Sequence, residues 1–280
     1  MKIGVIGLGY VGSALFDGMG SNYDILSYDK FKDSSEDSVS SLVEKADIVF
    51  VCVPTPMKKD GSCDRSIVDD VLNQISECNK KTLITVLKST LEIGSTEYFE
   101  NQYSNLNLVF NPEFLTEANF LDDFKNQKFI ILGSSNENHM KLLKEVYKNA
   151  FPNAKILTSG HKEAELSKYF INSFLAVKVS FANEIYSLCK GLDIKYSELV
   201  RLVSSEERVG NSHLTVPGPD GKMGFGGSCF PKDINSLITI FKNQDIESFV
   251  LAAAWERNIK IDRAEQDWKK LKGRAVSSKD

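Results

Sequence analysis

Histidine is scarce in this 280-residue sequence: only three, His139, His161 and His213, too dispersed to build a metal site. Five cysteines (Cys52, Cys63, Cys78, Cys189 and Cys229) make an odd count without paired spacing, which indicates neither a disulfide framework nor a zinc cluster. Excess positive charge is missing too. With 34 Lys and Arg against 38 Asp and Glu the net charge is −4, and nothing electrostatic calls for a nucleic-acid or anionic-membrane partner. No apolar run approaches the roughly 18–20 residues of a membrane span, and the N-terminus enters a folded pattern without a secretory signal. A cytoplasmic location is therefore the default expectation. There is no internal repeat and no low-complexity tract, and at roughly 100–200 residues per domain the length suggests two domains.

What is present begins with Lys2 to Ile6, a short apolar run followed at once by GLGYVG and a helical pattern through Val11, Ala14, Leu15 and Met19. A second strand, Asp24 to Tyr28, ends at Asp29, twenty residues beyond Gly9. This spacing meets the needs of a dinucleotide fingerprint: Gly7 for a tight turn, Gly9 for approach of a pyrophosphate, Gly12 for helix packing, Asp29 for ribose hydroxyls. The Asp29 carboxylate would repel a 2′-phosphate, which favours NAD over NADP, although Lys30 and Lys32 stand beside it.

Strand and helix keep alternating. Asp47 to Val53 is a nearly unbroken apolar run, as expected of a parallel strand buried on both faces, and Pro54-Thr55-Pro56 stops it. The helix Arg65 to Ser76 leads to a strand at Thr82 to Val86 that runs into Lys88-Ser89-Thr90, where a hydroxyl would contact a ligand or cap the next helix. Leu106 to Phe110 runs into NPEFLTEANFLDD; Glu113 and Glu117, four apart, are expected on one face of the following turn. A strand at Lys128 to Leu132, a helix from Glu137 to Lys148 and a strand near Lys155 to Leu157 complete the first unit, residues 1–158.

From residue 159 to 280 the pattern is helical. His161 to Lys190 reads as one long helix without proline, with Lys168 and Asn172 one turn apart and Asn183 about three turns further on. A helix over Ser197 to Val203 and a Gly- and Pro-rich loop, Arg208 to Lys222, follow, and a last helix is predicted from Ile246 to about Leu271. The fold class is thus α/β: a Rossmann-type parallel-sheet domain, then an all-helical domain with one long central helix.

Between loop and last helix lies GFGGSCFPKD, Gly224 to Asp233. Its glycines let the backbone approach a ligand, and Pro231 is suited to open a helix running through Ile234, Leu237, Ile238 and Phe241. A thiol at a helix start meets exposed N–H groups that favour the thiolate. Asp233 then shares the face of Cys229 if the helix has begun by that point. The same residues would equally make a tight turn filled by a small side chain.

Seven segments in this order, GLGYVG, VCVPTP, KST, NPEFLTEA, ELSKYFINSFLA, ERVGN and GFGGSCFPKD, resemble the UDP-glucose/GDP-mannose dehydrogenase family, most closely its UDP-glucose-oxidising branch. The resemblance implies two successive oxidations of one carbon, alcohol to aldehyde to carboxylate, with two NAD⁺ and one water consumed. Cys229 would be the nucleophile that makes a thiohemiacetal and then a thioester. Lys168 and Asn172 would stabilise the oxyanion, while Asp233, Thr90 and Glu117 would position water and manage protons. The cofactor set would be Gly7, Gly9, Tyr10, Val11, Gly12, Asp29, Lys30, Val53, Pro54, Thr55, Ser89, Thr90, Glu117 and Lys232. The sugar nucleotide would meet Glu113, Phe114, Leu115, Lys168, Asn172, Phe225, Gly226 and Cys229, with Arg208 reaching in from a neighbouring subunit of a homodimer built on the central helix. No metal is implied.

Family members have a third, nucleotide-holding domain, and the sequence stops at Gly273 to Ser277, where its first strand is expected. Two further readings therefore stand beside the dehydrogenase. One is a cofactor-binding subunit that needs a partner for turnover. The other is a two-domain hydroxyacid dehydrogenase of the 3-hydroxyisobutyrate type, against which stands Cys229, since a one-step alcohol oxidation needs no thiol.

Overall fold

The computed structural model describes residues 1–278, in two compact units, one of Met1–Thr55 with Asp64–Lys168 and one of Pro56–Cys63 with residues 169 onward. The expected second domain ends in Lys279 and Asp280, which lie outside the described residues.

In the first unit the strands are β1 (Lys2–Ile6), β2 (Asp24–Tyr28), β3 (Ile48–Val51), β4 (Ile84–Leu87), β5 (Asn107–Phe110), β6 (Phe129–Gly133) and β7 (Lys155–Ser159). They form one sheet in the order β2-β1-β3-β4-β5-β6-β7. All neighbours are parallel except β5 and β6, which are antiparallel and share the single register pair Phe110 with Gly133. Every residue of β3 and β4 is buried, which is why those strands read as unbroken apolar runs. The helices between the strands are α1 (Tyr10–Met19), α2 (Val39–Lys45), α3 (Ser66–Glu77), α4 (Ser95–Gln102), α5 (Phe120–Lys125) and α6 (Glu137–Ala150).

Apolar residues fill both faces of the sheet. Val5, Phe50, Val86 and Tyr147 pack on one side and Leu42, Val49, Leu87 and Phe110 on the other. The α1 helix starts tight against β1: a Cβ on Gly12 would sit 1.8 Å from the Gly7 carbonyl oxygen, so only glycine fits there. Helix ends leave orphan polar groups, and two are met from afar. The Lys80 ammonium donates to the carbonyls of Val43, Glu44 and Ala46 at the end of α2.

The long helix α7 (His161–Gly191) begins in this unit and continues into the other. Its Glu165 is fully buried and accepts from the Gly94 and Thr96 amides and the Thr96 hydroxyl at 2.5, 2.8 and 2.7 Å, capping α4. With Lys162 paired to Glu97 at 2.7 Å, this fixes the first turns of α7 to the sheet unit. The division between units accordingly falls at Lys168, within the helix, whereas the sequence pattern changes at residue 158.

The second unit holds the rest of α7, α8 (Tyr196–Val203), α9 (Phe230–Asn243) and α10 (Phe249–Arg257). The single helix expected over Ile246 to Leu271 is broken. After α10 come a π-turn, Asn258–Asp262, and a 3-10 turn, Asp267–Lys270, with Gln266 between them at φ +46°. The cause is polar: Asn258 and Arg263 are buried and turn inward, which a regular helix would not permit. Trp268 is buried behind them, 5.4 Å from Trp255.

This unit is not purely helical. Met57 bridges Cys63 in a small hairpin, and its amide and carbonyl pair with Ala275 and Ser277 at 2.9 and 2.8 Å. Gly273 to Ser277, expected to start a further domain, thus end on this hairpin.

Removing the Glu165 carboxylate would strand the buried Thr96 amide and hydroxyl and the half-buried Gly94 amide. Glu165→Ala is expected to lower the unfolding free energy by about 2–3 kcal/mol in urea titrations, and an unchanged midpoint would reject the cap.

Candidate active site

The C-terminal edge of the sheet gathers most of the residues expected around a dinucleotide. Gly7, at φ +92°, turns the chain out of β1, and its amide donates to the Tyr28 carbonyl at 2.9 Å. Gly9 caps α1 without any side-chain hydrogen bond, and a Cβ built there meets nothing within 4 Å. A helix start with open space before it presents its first N–H groups to an anion, so this loop fits a pyrophosphate. Asp29 accepts from the Leu8 amide at 2.6 Å and from the Phe31 and Lys32 amides at 2.8 and 3.1 Å. The carboxylate thereby ties β2 to the glycine turn and keeps lone pairs for hydroxyl donors. Lys32 donates to the Leu8 carbonyl, Lys30 lies 5.9 Å from the Phe31 ring, and Tyr10 stacks edge-on against Phe120 beside half-buried Val11.

Further along this edge the Ser89 hydroxyl donates to the Val53 carbonyl at 2.6 Å, joining the end of β4 to the Pro54-Thr55 loop; Thr90 follows, half-buried. The segment after β5 has no helical turn before residue 120, so Glu113 and Glu117 do not share a helix face as the four-residue spacing had suggested. Asn111 and Pro112 keep the chain extended. Glu113 instead meets α7. Lys168 Nζ donates to its carbonyl at 2.5 Å and lies 3.3 Å from its carboxylate, whose other oxygen accepts the Leu115 amide at 2.7 Å. Phe114 lies under the same ammonium, 5.4 Å away, while Glu117 is half-buried in the loop.

The second unit carries the thiol. Cys229 is the N-cap of α9 and is half-buried, with Pro231 in the first turn, so the helix does start where Pro231 predicted. The Asp233 amide donates to the Cys229 carbonyl at 3.0 Å, the first bond of the helix, which puts the two residues on one face. Asp233 is 1% exposed. Its oxygens take the Asn172 amide and the Lys232 ammonium, each at 2.5 Å. Burial alone would lower the Lys232 pKa, but Asp233, with the Cys229 thiol next, holds it up at about 12, so this lysine stays charged. Arg208 is well exposed and pairs with Glu206 at 2.8 Å.

Two family models cover most of the chain: the NAD-binding domain of the UDP-glucose/GDP-mannose dehydrogenase family over residues 27–151 and its central domain over residues 162–260. The chain belongs to the UDP-glucose/GDP-mannose dehydrogenase family. Among its relatives, a Pseudomonas aeruginosa UDP-glucose 6-dehydrogenase is 34% identical over 79% of this chain and 50% of its own length. The chain spans about half the length of the curated relatives it matches first. A UDP-glucose dehydrogenase structure from Pyrobaculum islandicum superposes with a TM-score of 0.82 at 27% identity, over 92% of this chain and 67% of that one. A Mycobacterium tuberculosis 3-hydroxyisobutyrate dehydrogenase shares the fold alone, with a TM-score of 0.75 at 16% identity over 95% of this chain and 94% of that one.

Several residues that hold the 224–229 loop escaped sequence reasoning. The Gly224 amide donates to Asn183 Oδ1 at 3.0 Å, and Asn258 both accepts from the Phe225 amide and donates to its carbonyl, at 2.8 and 2.9 Å. The Arg263 guanidinium lies flat against Gly226, where a Cβ would come within 2.3 Å of Cζ. It is held there by Asp267 at 2.8 and 2.9 Å and Asp220 at 2.6 Å. Apart from Asn183, whose helical register was noted, and the four-residue spacing of Arg263 and Asp267, no local pattern signals them, because the loop is met across a long stretch of chain.

Lys88, named above only as part of the KST segment, was given no role of its own. It is 4% exposed, and its ammonium donates at 3.0 Å to Asn111 Oδ1, which takes the Tyr147 hydroxyl as well. Burial pushes this lysine down to about 8, against the partial opposition of Cys52 and Glu113; burial likewise lifts the Cys52 thiol to about 12. Below pH 8 the ammonium is charged in folded and unfolded chains alike and the full burial penalty applies. Between about 8 and 10.5 the unfolded chain binds more protons, so the stability contributed by this residue rises with pH. The stability gap between Lys88→Met and the unmodified protein is therefore expected to shrink by roughly 2–3 kcal/mol from pH 7.5 to pH 10.5. Denaturant titrations at both pH values check this, and a constant gap would mean that the lysine is not desolvated.

Proposed function

We propose that this chain is an NAD-dependent nucleotide-sugar 6-dehydrogenase that oxidises C6 of UDP-glucose, or of a related nucleotide hexose, to the uronate. The observation that carries the proposal is the half-buried thiol of Cys229 at the start of α9, one turn from an Asp233 fixed by Asn172 and Lys232. Such a thiol has no use in a single alcohol oxidation and a clear one in the second of two.

Bound NAD⁺ supplies a hydride acceptor for each oxidation. The Cys229 sulfur adds to the aldehyde carbon, and the resulting thiohemiacetal carries the hydrogen that leaves as hydride in the second oxidation. Water then cleaves the thioester, releasing the carboxylate and restoring the thiol. In all, the substrate gives up two hydrides, one to each of two NAD⁺, and takes up one water. Lys168 and Asn172 keep N–H groups beyond those given to Glu113 and Asp233, and these donate to the oxygen that gains charge at C6. Donors of this kind are each worth about 3 kcal/mol in the transition state. Asp233, Thr90 and Glu117 direct the water and receive protons. Gly7, Gly9, Gly12 and Asp29 hold the dinucleotide, with Asp29 favouring a free ribose 2′-hydroxyl. Glu113, Phe114, Leu115, Phe225 and Gly226 line the sugar.

A homodimer is part of the proposal. Phe170, Phe174, Phe181 and Leu188 are all more than half exposed along α7 at spacings that keep them on one side of the helix, a stripe that a second copy would cover. Arg208, well exposed and paired with Glu206 through Nε and Nη2, is the residue that reaches the neighbouring subunit's substrate in this proposal. Phe181→Glu is expected to shift the protein to monomer in sedimentation and to cut turnover with it; a dimer that survives this change would remove the α7 interface.

The decisive assay is NADH yield against a panel of UDP- and GDP-sugars. About two NADH per sugar are expected, with Cys229→Ser stalling at one or giving none. NAD binding by calorimetry without any NADH would favour the partner-dependent subunit instead. Turnover of a small hydroxyacid would favour the 3-hydroxyisobutyrate type.

A further inference from the structure

The mechanism above leaves one buried charge unused. Lys88 directly follows β4, where burying an ammonium works against stability unless the charge does something in return. Satisfying the core is not that return. Asn111 Oδ1 already accepts the Tyr147 hydroxyl, so the asparagine would remain hydrogen-bonded if Lys88 were apolar.

The geometry around Asn111 supplies a reason. Antiparallel β5 and β6 share one register pair only, and the Asn111 side chain extends that weak junction by donating to the Ile131 carbonyl at 2.8 Å. Its backbone amide donates to the Leu87 carbonyl at 2.9 Å, and the Lys88 amide donates to the Val51 carbonyl at 3.0 Å. The ammonium thus locks the asparagine at a junction of β3, β4, β5 and β6. Two residues on, Glu113 presents the carbonyl and carboxylate that hold the Lys168 ammonium, in a segment with no helix or ladder of its own.

We propose that Lys88 is a positioning residue for Lys168: through Asn111 it fixes the start of the 111–117 segment, and Glu113 transmits that placement to the Lys168 ammonium. The inference rests on the proposed part of Lys168 at the developing oxyanion. In this role Lys88 acts through Asn111 and not by its own contact with substrate or cofactor.

The test compares the full chain with Lys88→Met and with Lys88→Gln, which loses the charge but keeps a donor for Asn111. Hydrogen exchange is read at the Leu115 amide, which Glu113 accepts, together with kcat, the KM for NAD⁺ and the thermal midpoint. For Lys88→Met, Leu115 exchange is expected to quicken by about tenfold and kcat to fall by about tenfold or more, with the KM for NAD⁺ changed by less than about twofold and the midpoint equal or higher. Lys88→Gln is expected to recover both to within about threefold of the unmodified protein. A purely structural lysine would move the midpoint and leave kcat of the folded protein alone. Unchanged exchange in Lys88→Met, or a Gln variant no better than Met, overturns the proposal. If the unmodified chain yields no NADH, the dehydrogenase reading fails, while exchange at Leu115 still decides the tie between Lys88 and Glu113. Lys88→Ala reads the same comparison should Lys88→Met not fold.

Discussion

A carboxylate taken out of water must be paired, and in the second unit Asp233 carries that constraint. With one oxygen on the Asn172 amide and the other on the Lys232 ammonium, it cannot shift without leaving a buried charge unmet, which costs several kcal/mol. The pairing welds the first turn of α9 to the middle of α7. Cys229, whose carbonyl opens that turn, inherits its place from the weld. The glycine loop ahead of it is fixed separately, by Asn183, Asn258 and Arg263, so the thiol is approached from both sides by backbone that has little freedom.

Much of this was legible from the residues. The sheet could be read because parallel strands buried on both faces are unbroken apolar runs, as in β3 and β4, and because glycine and proline punctuate their ends. The α9 start was signalled by Pro231, and the length of α7 by the absence of proline. Three features were not legible. The Ile246 to Leu271 segment has helical periodicity, but its course is set by where Arg263 finds Asp220 and Asp267, partners on either side of it in sequence. Glu113 and Glu117 have helical spacing without a helix, since Asn111 and Pro112 hold the chain extended. The burial of Lys88 places it on Asn111 and near the Phe124 ring, partners from distant parts of the sequence that no short window contains.

Both units place charged groups inside, by different means. Asp233 and Lys232 neutralise each other over 2.5 Å, and the lysine's proton is held more tightly than in water. Among the described residues the hydrogen-bond partner of the Lys88 ammonium is the neutral Asn111 side chain, so its proton is held more loosely. Two lysines with comparable burial thus lie on opposite sides of the ordinary value, and the sign is decided by whether an anion is within reach.

The hairpin at Pro56–Cys63 bears on how the molecule can be taken apart. The chain passes between the units at residues 55/56, 63/64 and 168/169, so neither is a continuous stretch of sequence. A single proteolytic nick cannot release one from the other, and a gene fragment beginning at Tyr169 would encode a helical body missing the strand on which Ala275 and Ser277 close.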